Sequence, residues 1–211
     1  MNNIKILELL ASKICHDLIS PVGAISNGIE ILEELGPDAG DEVTSLIASS
    51  TIQANAKLKT LRMAYGLGGA DQNITTVDIH ALFGEFIASE KRLSQDWNPH
   101  EYFGIEPRSG LAKILLCALI LISETLPKGG IISVKAGEDN TILVTGNGEN
   151  ARFQEEALRA LERKTNAEDL PPRYVHTYIT GLFSQHYGFE ITPENTGNDF
   201  ICLRLKCSNV F

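Results

Sequence analysis

The sequence lacks the patterns that mark several common classes of protein. Its four cysteines form no CxxC pair and are too few for the disulfide framework of a small secreted fold. Basic residues are the minority, 18 Lys and Arg against 27 Asp and Glu, and a net charge of −9 argues against nucleic acid or an anionic membrane as the main partner. Charged residues interrupt the apolar pattern at the amino terminus, where a signal peptide or membrane span needs an unbroken run. We therefore expect a cytoplasmic protein that binds neither nucleic acid nor membrane.

Apolar residues are abundant, and at the start of the chain they are periodic. They recur at alternating steps of three and four from Ile4 to Leu35, which predicts one long helix with a heptad seam. Cys15, Val22 and Ile29 lie beside this seam and widen the apolar stripe. One partner helix would not cover a stripe of this width.

The chain is predicted to turn back after this helix. Residues 36–41 contain a helix-ending glycine, a proline and two aspartates that can cap a second helix, and similar apolar spacing continues to Tyr65. These residues form an antiparallel helical hairpin in the prediction, and two copies of the chain would pair into a four-helix bundle to bury the wide stripes. A glycine-rich stretch at 66–73 then separates two predicted domains, residues 1–70 and residues 71–211.

The second domain shows mixed periodicity, which predicts an α+β fold with a layer of helices on one face of a mixed sheet. The predicted helices are 78–93, 111–126, 151–163 and 172–187, and the predicted strands are 97–104, 131–136, 141–145, 189–193 and 200–207. A turn over residues 195–198 makes the last two strands an antiparallel pair.

His16 takes an outward-facing position of the first helix when the heptad is counted from Ile4. An exposed imidazole is partly neutral at physiological pH, and a neutral ring nitrogen can attack phosphorus and form a covalent intermediate. Asp17 could orient the ring, and Ser20 shares its helical face and could hydrogen-bond a phosphoryl oxygen. Pro21 lacks the N–H that would bond the Asp17 carbonyl, so a kink is expected within one turn of His16.

A lone exposed histidine is usually only solvated, and its sequence neighbours suggest more. The string HDLISP at 16–21, on a heptad helix, resembles the phosphoacceptor box of two-component histidine kinases. More narrowly, HDLISPVGAISNGIEIL at 16–32, with LIASS at 46–50, is similar to the bacterial ChpT family of histidine phosphotransferases. This resemblance implies a dimeric four-helix bundle, phosphorylation of the histidine by a kinase receiver domain and discharge onto a response regulator. It also implies a second domain shaped like the ATPase domain of a histidine kinase.

That second domain lacks the residues with which histidine kinases bind ATP. Cys117 and Leu121 stand where the resemblance places paired asparagines, and neither can act as a hard oxygen ligand for Mg²⁺. A glycine replaces the adenine-reading aspartate, and residues 173–178 replace the glycine-rich phosphate loop. We therefore predict an α/β sandwich without a nucleotide site, no ATP and no bound metal or other cofactor, with Mg²⁺ expected only in the partner receiver domain.

Together these observations predict a phosphorelay histidine phosphotransferase with His16, Asp17 and Ser20 as its catalytic residues. The expected partners are a second copy of the chain, the receiver domain of a hybrid histidine kinase, and response regulators. One alternative is a non-catalytic dimeric module, an antikinase or scaffold, that binds two-component proteins without accepting phosphate. A second alternative, a true autokinase, is disfavoured by the missing ATP motifs.

Overall fold

The computed structural model describes residues 3–195 and 197–208, and it begins with the predicted hairpin. Helix α1 spans Asn3–Leu35 and helix α2 spans Gly40–Tyr65, with a 3-10 helix at Gly36–Ala39 between them. The two helices pack antiparallel along most of their length. The heptad interpretation of this part of the sequence is therefore confirmed.

Two residues that weaken α1 as an isolated helix are points where α2 packs against it. Pro21 lies buried inside α1 without ending it. Because proline has no N–H to donate to the Asp17 carbonyl, that carbonyl instead accepts a hydrogen bond from Lys57 Nζ of α2 at 3.2 Å. Gly28 brings the helices close together, since a Cβ there would lie 2.6 Å from Ile47 Cγ1. Partners on α2 thus compensate for the sequence irregularities of α1.

The rest of the chain forms a five-stranded sheet with helices packed on one face. The helices are α3 (Thr76–Ile87), α4 (Leu111–Glu124), α5 (Glu155–Leu161) and α6 (Val175–His186), and the strands are β1 (Leu93–Gln95), β2 (Gly130–Ala136), β3 (Thr141–Asn147), β4 (Phe189–Asn195) and β5 (Phe200–Cys207). The strand order is β1-β2-β3-β5-β4, parallel between β1 and β2 and antiparallel elsewhere. The predicted α+β fold with a mixed sheet is confirmed.

Several predicted boundaries are wrong, most clearly around the expected strand 97–104. Trp97 and Phe103 are buried there, but they reach the core from irregular backbone, and Pro99 between them cannot donate to a strand ladder. The alternation of apolar residues over 97–104 resembles that of a strand, but the strand in this part of the chain is β1. Helix α3 ends before β1 begins, instead of continuing to residue 93 as predicted. Helix α5 is also shorter than predicted, and the turn expected at 195–198 includes Thr196, which lies outside the described residues.

Helix α4 is the centre of the core. Every residue from Ala112 to Ile122 is buried. A helix that is apolar on all sides needs cover on all sides, which the sheet, α2, α3 and α6 provide. A second, smaller cluster joins Leu9 of α1 to Val175 and Ile179 of α6. The hairpin therefore packs against the second region with both of its helices.

Buried polar residues fasten the end of α2 to the second region. Lys113 Nζ donates to the carbonyls of Met63, Ala64 and Gly66 at 3.3, 2.9 and 2.6 Å, which satisfies the open C-terminus of α2. Beyond it, the carbonyl of Ala70 accepts from the Gly110 N–H at 3.3 Å. The chain is thus held between residue 63 and residue 70, where the domain boundary stays a prediction. Within the described ranges, no helix is both long and apolar enough to cross a membrane.

Candidate functional site

His16 lies on the rim of a groove between α1 and the second region. Its side chain is 87% exposed. The groove has a volume of about 920 Å³ and is lined by α1, the end of α4 and the segments that precede α5 and α6. The predicted outward position of His16 is confirmed, and the ring faces a concave surface that another protein could enter.

Asp17 contacts the imidazole ring from the next position of the helix. His16 Nδ1 lies 3.4 Å from Asp17 Oδ1. Because a carboxylate only accepts, this contact favours the tautomer that carries its proton on Nδ1. The other nitrogen, Nε2, then keeps a lone pair available to an incoming electrophile.

A chain of charges continues from Asp17 to the second region. Lys13 Nζ lies 3.4 Å from Asp17 Oδ2 and 3.0 Å from Glu124 Oε1, near the end of α4. Burial opposes the charged form of Lys13, but the two carboxylates outweigh this effect and raise the pKa of Lys13 above its usual value. Lys13 is therefore a firmly charged link between α1 and α4.

Ser20 is the predicted site residue that the groove leaves out. It lies exposed on α1 one turn beyond His16, and it is absent from the described lining of the groove. The structure thus brings His16 and Asp17 together, while the role of Ser20 as a phosphoryl ligand stays a prediction.

The positions predicted to replace the ATP motifs fall in or beside the same groove. Leu121, Arg173 and Tyr174 line it, whereas Cys117 is fully buried and its carbonyl accepts a hydrogen bond from His176 Nε2 at 3.0 Å. The Arg173 guanidinium lies 4.7 Å from the centre of the Tyr174 ring. The groove therefore offers apolar, aromatic and cationic side chains facing α1. Among the described residues, no group of three or more His, Cys, Asp or Glu is arranged to hold a metal ion.

Comparisons with known proteins identify the family. A family model described as the histidine phosphotransferase C-terminal domain matches residues 76–199. The protein phosphotransferase ChpT of Brucella abortus (strain 2308) is 32% identical over 197 residues, which cover 92% of this chain and 91% of that protein. The chain belongs to the ChpT family of histidine phosphotransferases. The prediction of a phosphorelay histidine phosphotransferase is thereby confirmed at the level of the family.

A solved structure extends the likeness of this ChpT-family protein to the whole chain. A bacterial phosphotransferase, described at 1.7 Å, is 28% identical and covers 98% of both chains with a TM-score of 0.76. The groove beside His16 is built from the hairpin and from residues within the range that the family model matches. The overall arrangement of this protein is therefore that of a phosphotransferase.

Sequence reasoning missed three charged residues of the ChpT-family site. Lys13 was within reach, because a lysine four positions before an aspartate on a helix predicts an ion pair. Glu124 lies 111 positions from Lys13, and Lys57 lies 40 positions from Asp17. No local pattern could have connected either residue to His16.

Proposed function

We propose that this protein carries a phosphoryl group on His16, taking it from the aspartyl phosphate of one receiver domain and giving it to the aspartate of another. The donor is the receiver domain of a hybrid histidine kinase, the acceptors are response regulators, and the transfer takes place in the cytoplasm. The observation that carries the proposal is the exposed His16 ring, with Asp17 at its Nδ1, at the edge of a groove. A docked domain can reach Nε2 there without displacing any part of the fold.

The transfer needs few groups on this side. The Nε2 lone pair attacks phosphorus in line with the aspartyl oxygen, so that a P–N bond forms as the P–O bond breaks and the carboxylate leaves. The positive charge that develops on the ring is stabilised by the Asp17 carboxylate, as in other His-Asp pairs. Discharge is the reverse step, in which the second receiver's carboxylate attacks phosphorus and Nε2 leaves. Magnesium is expected in the receiver domain.

ATP has no part in this proposal. Leu121 is apolar and Cys117 is fully buried, so neither of these predicted counterparts of the paired asparagines offers oxygen ligands for a nucleotide-bound metal. A labelled ATP analogue is expected not to bind at micromolar concentration. Saturable binding in that range would instead favour the autokinase alternative.

The proposal also includes a two-fold dimer formed through the hairpin. A row of apolar residues on one side of α1 stays exposed in the single chain: Ile4, Leu7, Cys15, Ile19, Val22 and Ile29. Most of them are spaced three, four or seven residues apart, which is the pattern of a helix that packs in a bundle. A second copy of the hairpin, packed on this row, would complete a four-helix bundle and leave His16 at its outer side.

Phosphoryl transfer to wild-type protein, His16→Ala and His100→Ala tests the proposal. His100 is also exposed but lies far along the chain in a loop, so it is the matched control. A receiver domain labelled on its aspartate is mixed with each protein, and acid-labile, base-stable label is expected on wild type and His100→Ala only. Label on His16→Ala would overturn the assignment. A wild type that binds the receiver but takes no label would favour the non-catalytic scaffold.

A further inference from the structure

The chain of charges beside His16 joins two parts of the fold. Lys13 belongs to α1 and Glu124 to α4, and their 3.0 Å ion pair is one direct link between these helices. Both side chains are largely covered, with exposed fractions of 20% and 33%. Together with Asp17 they also line a smaller cavity of about 260 Å³, so the network forms a wall between two open spaces. An ion pair placed here is less screened by water than one on an open surface.

Resting on the function proposed above, we propose that Lys13 and Glu124 are positioning residues for transfer at His16. Their ion pair fixes the Asp17 carboxylate in place, and the balance of their charges sets how strongly that carboxylate holds the ring proton. Neither residue touches the phosphoryl group.

The geometry shows why the balance matters. Lys13 lies between two carboxylates and is closer to Glu124 than to Asp17. Lys13 contacts Asp17 at Oδ2, which leaves Oδ1 to accept from His16 Nδ1, and its shorter contact with Glu124 draws part of the lysine charge away from Asp17. Without Glu124, the full charge of Lys13 would fall on Asp17 and weaken its hold on the ring.

Other charged groups surround this network and stay unchanged in the test. Lys57 of α2 binds the Asp17 carbonyl, while the remaining groups line the groove or the smaller cavity: Arg152 and Arg173 in the groove, and Glu90 and Arg92 in the smaller cavity. Because all of them are retained in each variant, a difference between variants reports the Lys13–Glu124 pair.

Two substitutions separate a charge effect from a purely mechanical one. Lys13→Met and Glu124→Gln break the same ion pair, but one removes a positive charge next to Asp17 and the other a negative charge next to Lys13. We expect the pH midpoint at which His16 becomes neutral to rise in Lys13→Met and to fall in Glu124→Gln, because the two variants change the charge near the ring in opposite directions. A mechanical clip would move both variants in the same direction or leave both unmoved.

A charge-reversed double variant completes the set. Lys13→Glu with Glu124→Lys can remake the link between α1 and α4, but it places a carboxylate next to Asp17. The midpoint is therefore expected to rise even though the link is restored. A midpoint that returns to the wild-type value would show that only the link matters and would overturn the proposal.

The matched control is a second Lys–Glu pair between the hairpin and the second region. Lys59 of α2 and Glu85 of α3 also lie 3.0 Å apart, but away from the groove and with exposed fractions of 57% and 52%. Lys59→Met and Glu85→Gln are expected to leave the midpoint unchanged. Thermal unfolding of all variants checks that each one is folded.

Two measurements keep this proposal distinguishable from the function it rests on. NMR titration of the His16 ring nitrogens, with no receiver present, gives the midpoint and the tautomer, and initial rates of label uptake against pH give the effect on transfer. Opposite shifts in the NMR titration, matched by opposite shifts in the rate profile, support the proposal. Shifts in one direction, or none, overturn it while label on wild-type His16 still upholds the proposed function. Label that survives His16→Ala overturns the function whatever the titration shows.

Discussion

The first helix of the hairpin and the central helix of the second region make opposite use of apolar residues. Among residues 4–35 of α1, only Leu9, Pro21 and Gly28 are buried, and a row of large apolar side chains faces outward. In α4, by contrast, every residue from 112 to 122 is buried. One helix leaves a row of apolar side chains exposed, and the other is buried on every side.

This difference assigns the proposed chemistry to α1 and the stability of the fold to α4. The proposed transfer requires an exposed nucleophile, and His16 obtains its exposure from a helix with few buried residues of its own. The second region contains most of the hydrophobic core, and Lys113 attaches the hairpin to that region by hydrogen-bonding the end of α2. Substitutions in α1 should therefore change association and transfer, whereas substitutions in α4 should change folding.

The largest effect is expected where the exposed row of α1 is broken. Val22→Glu would place two like charges in the proposed dimer interface, one from each copy, and burial of an unpaired carboxylate costs several kcal/mol. We expect the dimer dissociation constant to rise by at least about 100-fold, which sedimentation velocity can measure. Ile131→Glu, at an exposed position of β2 outside the hairpin, is the control. Equal dimer affinity in the two variants would contradict the proposed interface.

A matched pair of leucines tests the other side of the comparison. Leu119 of α4 is fully buried, and Leu67 is 93% exposed in the connection after α2. Leu119→Ala should lower the free energy of unfolding by about 2–5 kcal/mol because it leaves a cavity. Leu67→Ala should change it by less than about 0.5 kcal/mol. Urea unfolding measures both values, and comparable losses would mean that α4 is not the centre of stability.

The hairpin was the most predictable part of the fold because its signal is a repeated one. The three–four spacing from Ile4 to Leu35 persists over many turns, so a single misleading residue such as Pro21 does not hide it. The apolar alternation of β5 also predicted a strand, paired with the neighbouring β4, and the bounds of β5 match the prediction. Short elements fared worse, because β1 has only three residues and no periodicity can be read from it.

The site divided in the same way. His16 and Asp17 are neighbours in the chain, so their contact was readable from sequence, as was the i,i+4 spacing of Lys13 and Asp17. Lys57 and Glu124 reach the site only after α2 and α4 are packed, and that packing depends on contacts across many positions. Sequence patterns report the geometry of residues that are close in the chain. A site whose residues come from three helices can therefore be predicted only in part from the sequence.

Two glycines in α1 refine the comparison within the hairpin. A Cβ at Gly28 would lie 2.6 Å from Ile47 Cγ1, whereas a Cβ at Gly23 would meet nothing within 4 Å. Gly28→Ala should destabilise the protein by about 1–3 kcal/mol through overpacking. Gly23→Ala should stabilise it by up to about 1 kcal/mol through helix propensity. If urea unfolding gave both variants the same sign, α1 and α2 would not approach each other closely at Gly28.

The smallest effect concerns His176, which lies fully buried where the hairpin meets the second region. Its Nε2 donates to the Cys117 carbonyl at 3.0 Å, and its Nδ1 accepts from the Tyr65 hydroxyl at 2.8 Å, an arrangement that suits the neutral ring. Burial lowers the pKa of His176 below its usual value of 6.5. The unfolded chain therefore binds a proton more readily than the folded chain as the pH falls below 6.5, and stability falls with it.

His176→Gln should remove this part of the pH dependence, because glutamine can donate and accept hydrogen bonds but does not titrate. Between pH 6.5 and 5.5 we expect wild type to lose up to about 1 kcal/mol more stability than His176→Gln, as measured by urea unfolding at each pH. His100→Gln, at an exposed histidine, should keep the wild-type slope. If His176→Gln kept that slope as well, protonation at this junction would not weaken the attachment of the hairpin, and the acid sensitivity of the protein would have to arise from other groups.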